Sequence, residues 1–116
     1  MSTVTWRYAI CNELFTEWPL ARTAAYAREL GYEGLELAPY TLVRRVTDLT
    51  AADRREIRAA VEGAGLRVAG LHWLLARTEG LALSDPQADV RERTVCYLLE
   101  EIDLCADLGG DVLVLG

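Results

Sequence analysis

One pattern recurs three times in this chain and narrows its possible folds more than any other feature. A helical stretch closes on glycine, a short turn follows, and an apolar strand begins: Gly31-Tyr-Glu-Gly-Leu-Glu-Leu, Gly65-Leu-Arg-Val-Ala-Gly-Leu and Gly109-Gly-Asp-Val-Leu-Val-Leu. Glycine ends helices because it enters the left-handed region without a Cβ clash. Helix and strand in strict alternation imply right-handed crossovers and a parallel sheet covered by helices.

The elements follow from this spacing. Residues 6–13 open with an aromatic and apolar strand. Trp18-Pro19 begins a helix with Leu20, Ala24, Ala27 and Leu30 on one face. Glu33 to Leu37 form the second strand, with Leu35 and Leu37 on one side and Gly34 and Glu36 on the other. Thr50 and Asp53 read as a capping box for a second helix, whose stripe is Ile57, Ala60, Val61 and Ala64. Leu66 to Leu71 form the third strand, which runs into Leu71-His72-Trp73-Leu74-Leu75. Asp85-Pro86 is expected to cap the third helix, which carries Val95, Leu98, Leu99, Ile102, Cys105 or Ala106, and Leu108 inward. Asp111 to Leu115, nearly all apolar, reads as a fourth strand buried on both sides.

Composition removes several function classes. The net charge of −6 disfavours nucleic-acid or anionic-membrane partners. No stretch approaches a membrane span, and the N-terminus lacks a secretory pattern, so a cytoplasmic location is expected. All twelve basic residues are arginine, which leaves no lysine for Schiff-base chemistry. Cys11, Cys96 and Cys105 fit no zinc spacing and are expected to be buried free thiols, Cys96 and Cys105 on opposite helix faces.

An open doubly wound sheet and a (β/α) barrel both accommodate this order. The first kind often places a glycine-rich phosphate loop after strand one. Here Asn12-Glu13-Leu14-Phe15 stands there instead. Polar residues collect at the C-terminal ends of strands, where a barrel builds its site: Asn12 and Glu13, then Glu36, then His72 and Trp73. His72, the single histidine, is a substrate or proton-handling group or a rim residue held by hydrogen bonds. Glu36 points into the barrel if the leucines pack on helices, where a sugar hydroxyl or Arg7 is its partner. Alternation lets only one of Asn12 and Glu13 face the pocket, and Glu13 serves there as a rim or catalytic group. Trp73 forms either an aromatic wall for a sugar or part of the core. Arg44-Arg45 attracts a phosphate or stands as a solvated pair.

Cys11-Asn12-Glu13-Leu14-Phe15 with Trp18-Pro19, Gly31-Tyr32-Glu33-Gly34-Leu35-Glu36-Leu37-Ala38-Pro39 and Gly70-Leu71-His72-Trp73-Leu74-Leu75 resemble the sugar phosphate isomerase/epimerase family of xylose isomerase-like TIM barrels. Arg91-Glu92-Arg93-Thr94 and Asp103-Leu104-Cys105-Ala106-Asp107-Leu108-Gly109-Gly110 carry the same resemblance. Ala82 departs from it, standing where a second histidine is expected. The resemblance implies metal-assisted isomerisation or epimerisation of a small carbohydrate or sugar phosphate, with Mn, Mg, Co or Zn in the complete protein. It implies substrate-binding roles for Glu13, Glu36, His72 and Trp73.

The four strands and three helices make this the N-terminal half of such a barrel, over residues 1–116. The family's main metal ligands lie on later strands, so no metal is expected in this chain alone, nor activity from it. A second expectation is a homodimer of half-barrels that together close eight strands. DNA repair of the endonuclease IV kind, found in the same superfamily, is disfavoured by one histidine and an acidic charge.

Overall fold

A computed structural model describes residues 2–116. Four parallel strands, β1 (Ala9–Cys11), β2 (Gly34–Leu37), β3 (Arg67–His72) and β4 (Val112–Val114), form one sheet in chain order. Helices α1 (Leu20–Glu29), α2 (Ala51–Glu62) and α3 (Ala88–Leu108) connect them. No helix among the described residues is long and apolar enough to cross a membrane.

The three glycine punctuation marks form one motif. Gly31, Gly65 and Gly109 have φ of +95°, +85° and +84°. After each, an amide donates back to the preceding helix: Tyr32 to Ala27 at 3.1 Å, Leu66 to Val61 at 3.3 Å and Gly110 to Cys105 at 2.9 Å. Each turn thus satisfies a terminal carbonyl and aims the chain into the next strand. At the other end of α2, the Asp53 amide donates to Thr50 Oγ1 and the Thr50 amide to the Asp53 carboxylate. The expected capping box is present.

The core lies between the sheet and the helices. Leu35, Leu37, Val68 and Leu71 pack there with Ala24, Ala27, Val61, Leu104 and Leu108. Leu35 pairs with Val68 and Leu37 with Leu71, so all four share the helix-facing side. Val68 and Leu71 are three apart, which strict alternation forbids on one face. A β-bulge resolves the parity: Leu35 pairs with Val68, but Glu36 pairs with Gly70, leaving Ala69 as the extra residue. The bulge puts Gly70 and His72 on the same inner face as Glu36.

Several boundaries and faces differ from the sequence reading. β1 is only three residues long, because Asn12–Leu14 turns into a 3-10 helix. Pro19 precedes α1 instead of lying in its first turn, and Thr23 replaces exposed Leu30 on the buried face. α3 begins at Ala88 after Gln87; the Asp85 carboxylate caps the Gln87 amide at 2.9 Å, one turn earlier. β4 is exposed along its length, since no strand or helix among the described residues covers its outer side.

The inner face of α3 is the largest correction. Thr94, Tyr97, Glu101, Leu104, Cys105 and Leu108 are buried, whereas Val95, Leu99 and Ile102 face outward. The helix carries two faces, and the polar groups on the inner one have specific anchors. Thr94 Oγ1 accepts from the Ala82 amide at 2.9 Å, and the Tyr97 hydroxyl accepts from the Val46 amide at 3.2 Å. Glu101 is the exception: it is fully buried, and neither carboxylate oxygen has a hydrogen-bond partner. Burial pushes its carboxyl up to about 8. The cysteines are also not uniformly buried. Cys105 is, Cys11 is partly so, and Cys96 is exposed on the opposite face of α3.

Candidate functional site

The site lies where β1, β2 and β3 end. Asn12, the first residue after β1, is buried and acts as a clamp. Its Oδ1 accepts from the Ala38 amide at 2.9 Å, and its Nδ2 donates to Thr41 Oγ1 at 2.8 Å. These bonds tie the end of β1 to the loop after β2. With Asn12 committed to the backbone, the next side chain, Glu13, is the one presented to the rim.

Glu13, Glu36 and His72 converge there, each roughly a quarter exposed. His72 Nε2 lies 3.4 Å from Glu13 Oε1, and His72 Nδ1 lies 3.7 Å from Glu36 Oε1. One imidazole therefore has a carboxylate on either side, each brought by a different strand. The expectation that Glu36 faces inward is met, but Arg7 is not its partner. The β1–β2 register places Ala9 opposite Gly34 and Cys11 opposite Glu36. Arg7 is consequently at the far end of the sheet, where it pairs with Glu33 at 2.9 Å.

Two residues not singled out from the sequence complete the rim. The Tyr40 hydroxyl donates to Glu13 Oε2 at 3.3 Å. Desolvation, then the Glu13 charge, raises the Tyr40 phenol above its ordinary range. Trp73 meets the Tyr40 ring edge-on at 5.8 Å between centroids, and the Arg77 guanidinium sits 4.7 Å from its centroid. Trp73 is 47% exposed and therefore does not belong to the core. The only sequence signal for Tyr40 and Arg77 was position, in the loops after β2 and β3.

Beneath the rim, burial is the main factor that raises the Cys11 thiol to about 11, and the charges of Glu13 and Glu36 push the same way. Cys11 is a neutral wall of the site. Beside the rim, a hollow of about 610 Å³ opens between the loops after β1 and β2, with Glu13, Trp18, Tyr40 and Arg77 among its walls. Arg44 and Arg45 lie away from the carboxylates. Arg45 donates to the Glu79 carbonyl at 2.9 Å, and Arg44 comes within 3.7 Å of the Glu79 carboxylate.

The arrangement can hold a polyhydroxylated molecule: two carboxylates accept from hydroxyls, and an imidazole exchanges a proton with an oxygen between them. It does not fit a divalent ion by itself. Among the described residues, no group of three His, Cys, Asp or Glu side chains is arranged to hold one.

Comparison with known proteins bears on the fold. The sequence profile of the xylose isomerase-like TIM barrel family matches residues 24–116. No curated protein matches the chain significantly by sequence. Among solved structures, a D-psicose 3-epimerase determined in the presence of D-fructose superposes with a TM-score of 0.72 at 15% identity, over 93% of this chain and 36% of that one. A 3-keto-D-glucoside 4-epimerase from E. coli gives 0.65 at 18% identity, over 91% and 35%. A xylose isomerase domain protein from Alicyclobacillus acidocaldarius gives 0.64 at 23% identity, over 92% and 35%. The chain thus spans about a third of the length of these structures.

Proposed function

The chain belongs to the xylose isomerase-like TIM barrel family, and on that premise we propose that it supplies the β1–β4 part of a sugar isomerase or epimerase site. The observation that carries this reading is His72 standing between Glu13 and Glu36 at the ends of three adjacent parallel strands. The substrate is a small ketose or its phosphate. Glu13 and Glu36 accept hydrogen bonds from its hydroxyls and orient the carbon that changes configuration or oxidation level. His72 exchanges a proton with the neighbouring oxygen, and its two carboxylates stabilise the imidazolium that results. Trp73 shields one side of the sugar from water.

The divalent metal implied by the family resemblance would polarise the carbonyl. The described residues lack a three-donor set for it, so no step of this chain's chemistry runs through it. The assigned role is therefore substrate binding, without turnover by the 116-residue chain alone. D-fructose titrated into the chain should shift the His72 ring resonances. Glu36→Gln and His72→Ala should each weaken binding about tenfold or more, as expected for hydrogen bonds to charged groups. No response at His72 would overturn the reading. Turnover of D-fructose by the chain with added Mn²⁺ would overturn the assignment to binding alone.

A second reading rests on the uncovered flanks. Val112, Leu113, Val114 and Leu115 are exposed on one side of the sheet, and Trp6 and Tyr8 on the other. The occupant in this reading is a second copy of the chain. A two-fold axis that sets β4 beside the partner's β1 also sets β1 beside the partner's β4, removing both open edges. Native mass spectrometry should then give a dimer; a monodisperse monomer at tens of micromolar would exclude it.

A further inference from the structure

We propose that the hollow between the loops after β2 and β3 binds an anionic substituent, phosphate or carboxylate, on the sugar whose other end meets Glu13, Glu36 and His72. The identity of that other end rests on the functional reading above; the anion site stands on its own residues. The hollow measures about 430 Å³ and is lined by Tyr40, Thr41, Leu42, Val43, Arg44 and Arg77. Two guanidinium groups line it and no carboxylate does, in a chain of net charge −6. Such a concentration of positive charge runs against the average of the surface and favours an anion.

The two arginines are available. Arg77 makes no hydrogen bond or ion pair among the described residues; its contact is the face of Tyr40. The nearest acid to Arg44 is Glu79, at 3.7 Å, with both side chains more than four-fifths exposed. A solvated pair of that length is weak and yields to a better partner. A planar guanidinium can meet a phosphate or carboxylate with two parallel N–H groups.

Backbone conformation supplies a second, independent observation. Trp73 and Arg77 both have φ of +57°, the left-handed region that non-glycine residues rarely occupy. They bracket one short loop, held between them by the Ala76 amide donating to the Trp73 carbonyl and the Thr78 hydroxyl to that of Leu75. Strain of this kind persists where surrounding contacts over-determine it, and it concentrates at ligand sites. Here its effect is to lay Trp73 and Arg77 on the same tyrosine. Tyr40 faces Arg77 with its ring and Glu13 with its hydroxyl. An anion at Arg77 is therefore kept one aromatic ring away from the rim carboxylate that would repel it, a separation a hexose can bridge.

The test uses the isotope-labelled 116-residue chain and inorganic phosphate, D-fructose, D-fructose 6-phosphate and D-glucuronate as probes. Inorganic phosphate should shift the amides of Leu42 to Arg44 and of Arg77 saturably. D-fructose 6-phosphate should bind about tenfold or more tightly than D-fructose. Arg77→Gly removes the charge while suiting the left-handed backbone, and it should bring that ratio close to one with D-fructose affinity unchanged. Arg77→Lys should retain part of the preference. A preference for D-glucuronate over its phosphate counterpart would identify the carboxylate as the source of the anion. Absence of phosphate-dependent shifts at these amides, or an undiminished ratio in Arg77→Gly, would overturn the proposal. Phosphate shifts without any response of His72 to D-fructose would uphold the anion site and overturn only the sugar reading.

Discussion

Glu36 pairs with Gly70 across β2 and β3, one residue beyond the position that unbroken alternation from the Leu35–Val68 pair would give it. Gly70 in turn lies against the carbonyl of Val112 on β4, closely enough that a Cβ could not be accommodated. The residue that carries the bulge is thus also the one that lets β4 dock. Gly70→Ala should cost about 1–3 kcal/mol, the range for overpacking, with β4 loosened first. Urea denaturation followed by amide exchange of Val112 to Val114 checks this; full stability with protected β4 amides would contradict it.

Glu101 makes stability depend on pH. Its carboxyl titrates near 8 in the folded chain and near 4.5 when exposed. Between those values the unfolded chain has released the proton and the folded chain retains it. Stability is therefore highest below about 4.5, falls as pH rises toward 8, and levels off above it, with a slope of about 1.4 kcal/mol per pH unit. Glu101→Gln has no such proton to lose. Denaturation at pH 5, 6.5 and 8 should show the wild-type chain losing ground to the variant as pH rises, and parallel curves would disprove it.

Asn12 should prove more important to the fold than its polarity suggests. In Asn12→Ala the buried Ala38 amide loses its acceptor, at a cost of about 1–3 kcal/mol. The loop after β1 also loses its tether to Thr41. A lower denaturation midpoint with an unchanged m-value, together with weaker D-fructose binding through the displaced Glu13, is the expected outcome.

The three thiols should separate by reactivity. Cys96 is exposed on α3, whereas Cys105 is buried and Cys11 is held as the thiol by burial and by two carboxylates. The thiolate is the reactive form. Peptide mapping after brief treatment with iodoacetamide at pH 8 should find Cys96 modified first and Cys11 and Cys105 only on unfolding.

Much of the fold could be read from residue order because its signals are local. The Gly31, Gly65 and Gly109 turns and the Thr50–Asp53 box each lie within a few residues of chain, and each formed as expected. The partition of Asn12 and Glu13 was also legible, since one of two successive residues had to turn away. What escaped required knowledge of partners. The inner face of α3 could not be chosen by hydropathy, because Val95, Leu99 and Ile102 are more apolar than Thr94, Tyr97 and Glu101, which the rest of the fold buries. Arg7 could not be assigned to Glu33 over Glu36 without the register of β1 on β2. Tyr40 and Arg77 became visible only when two loops met.

The strand order β1-β2-β3-β4 means that each strand pairs with the one synthesised just before it. Loop closure in such a sheet is always short-range, which favours rapid ordering. The chain can consolidate one βα unit at a time as it leaves the ribosome, with the Gly31, Gly65 and Gly109 turns as successive stopping points. At every stage the sheet has a single growing edge, and that edge is where a nascent chain is most open to wrong pairing. Folding of this molecule is therefore a directional process, and Gly70, which admits β4, controls its last step.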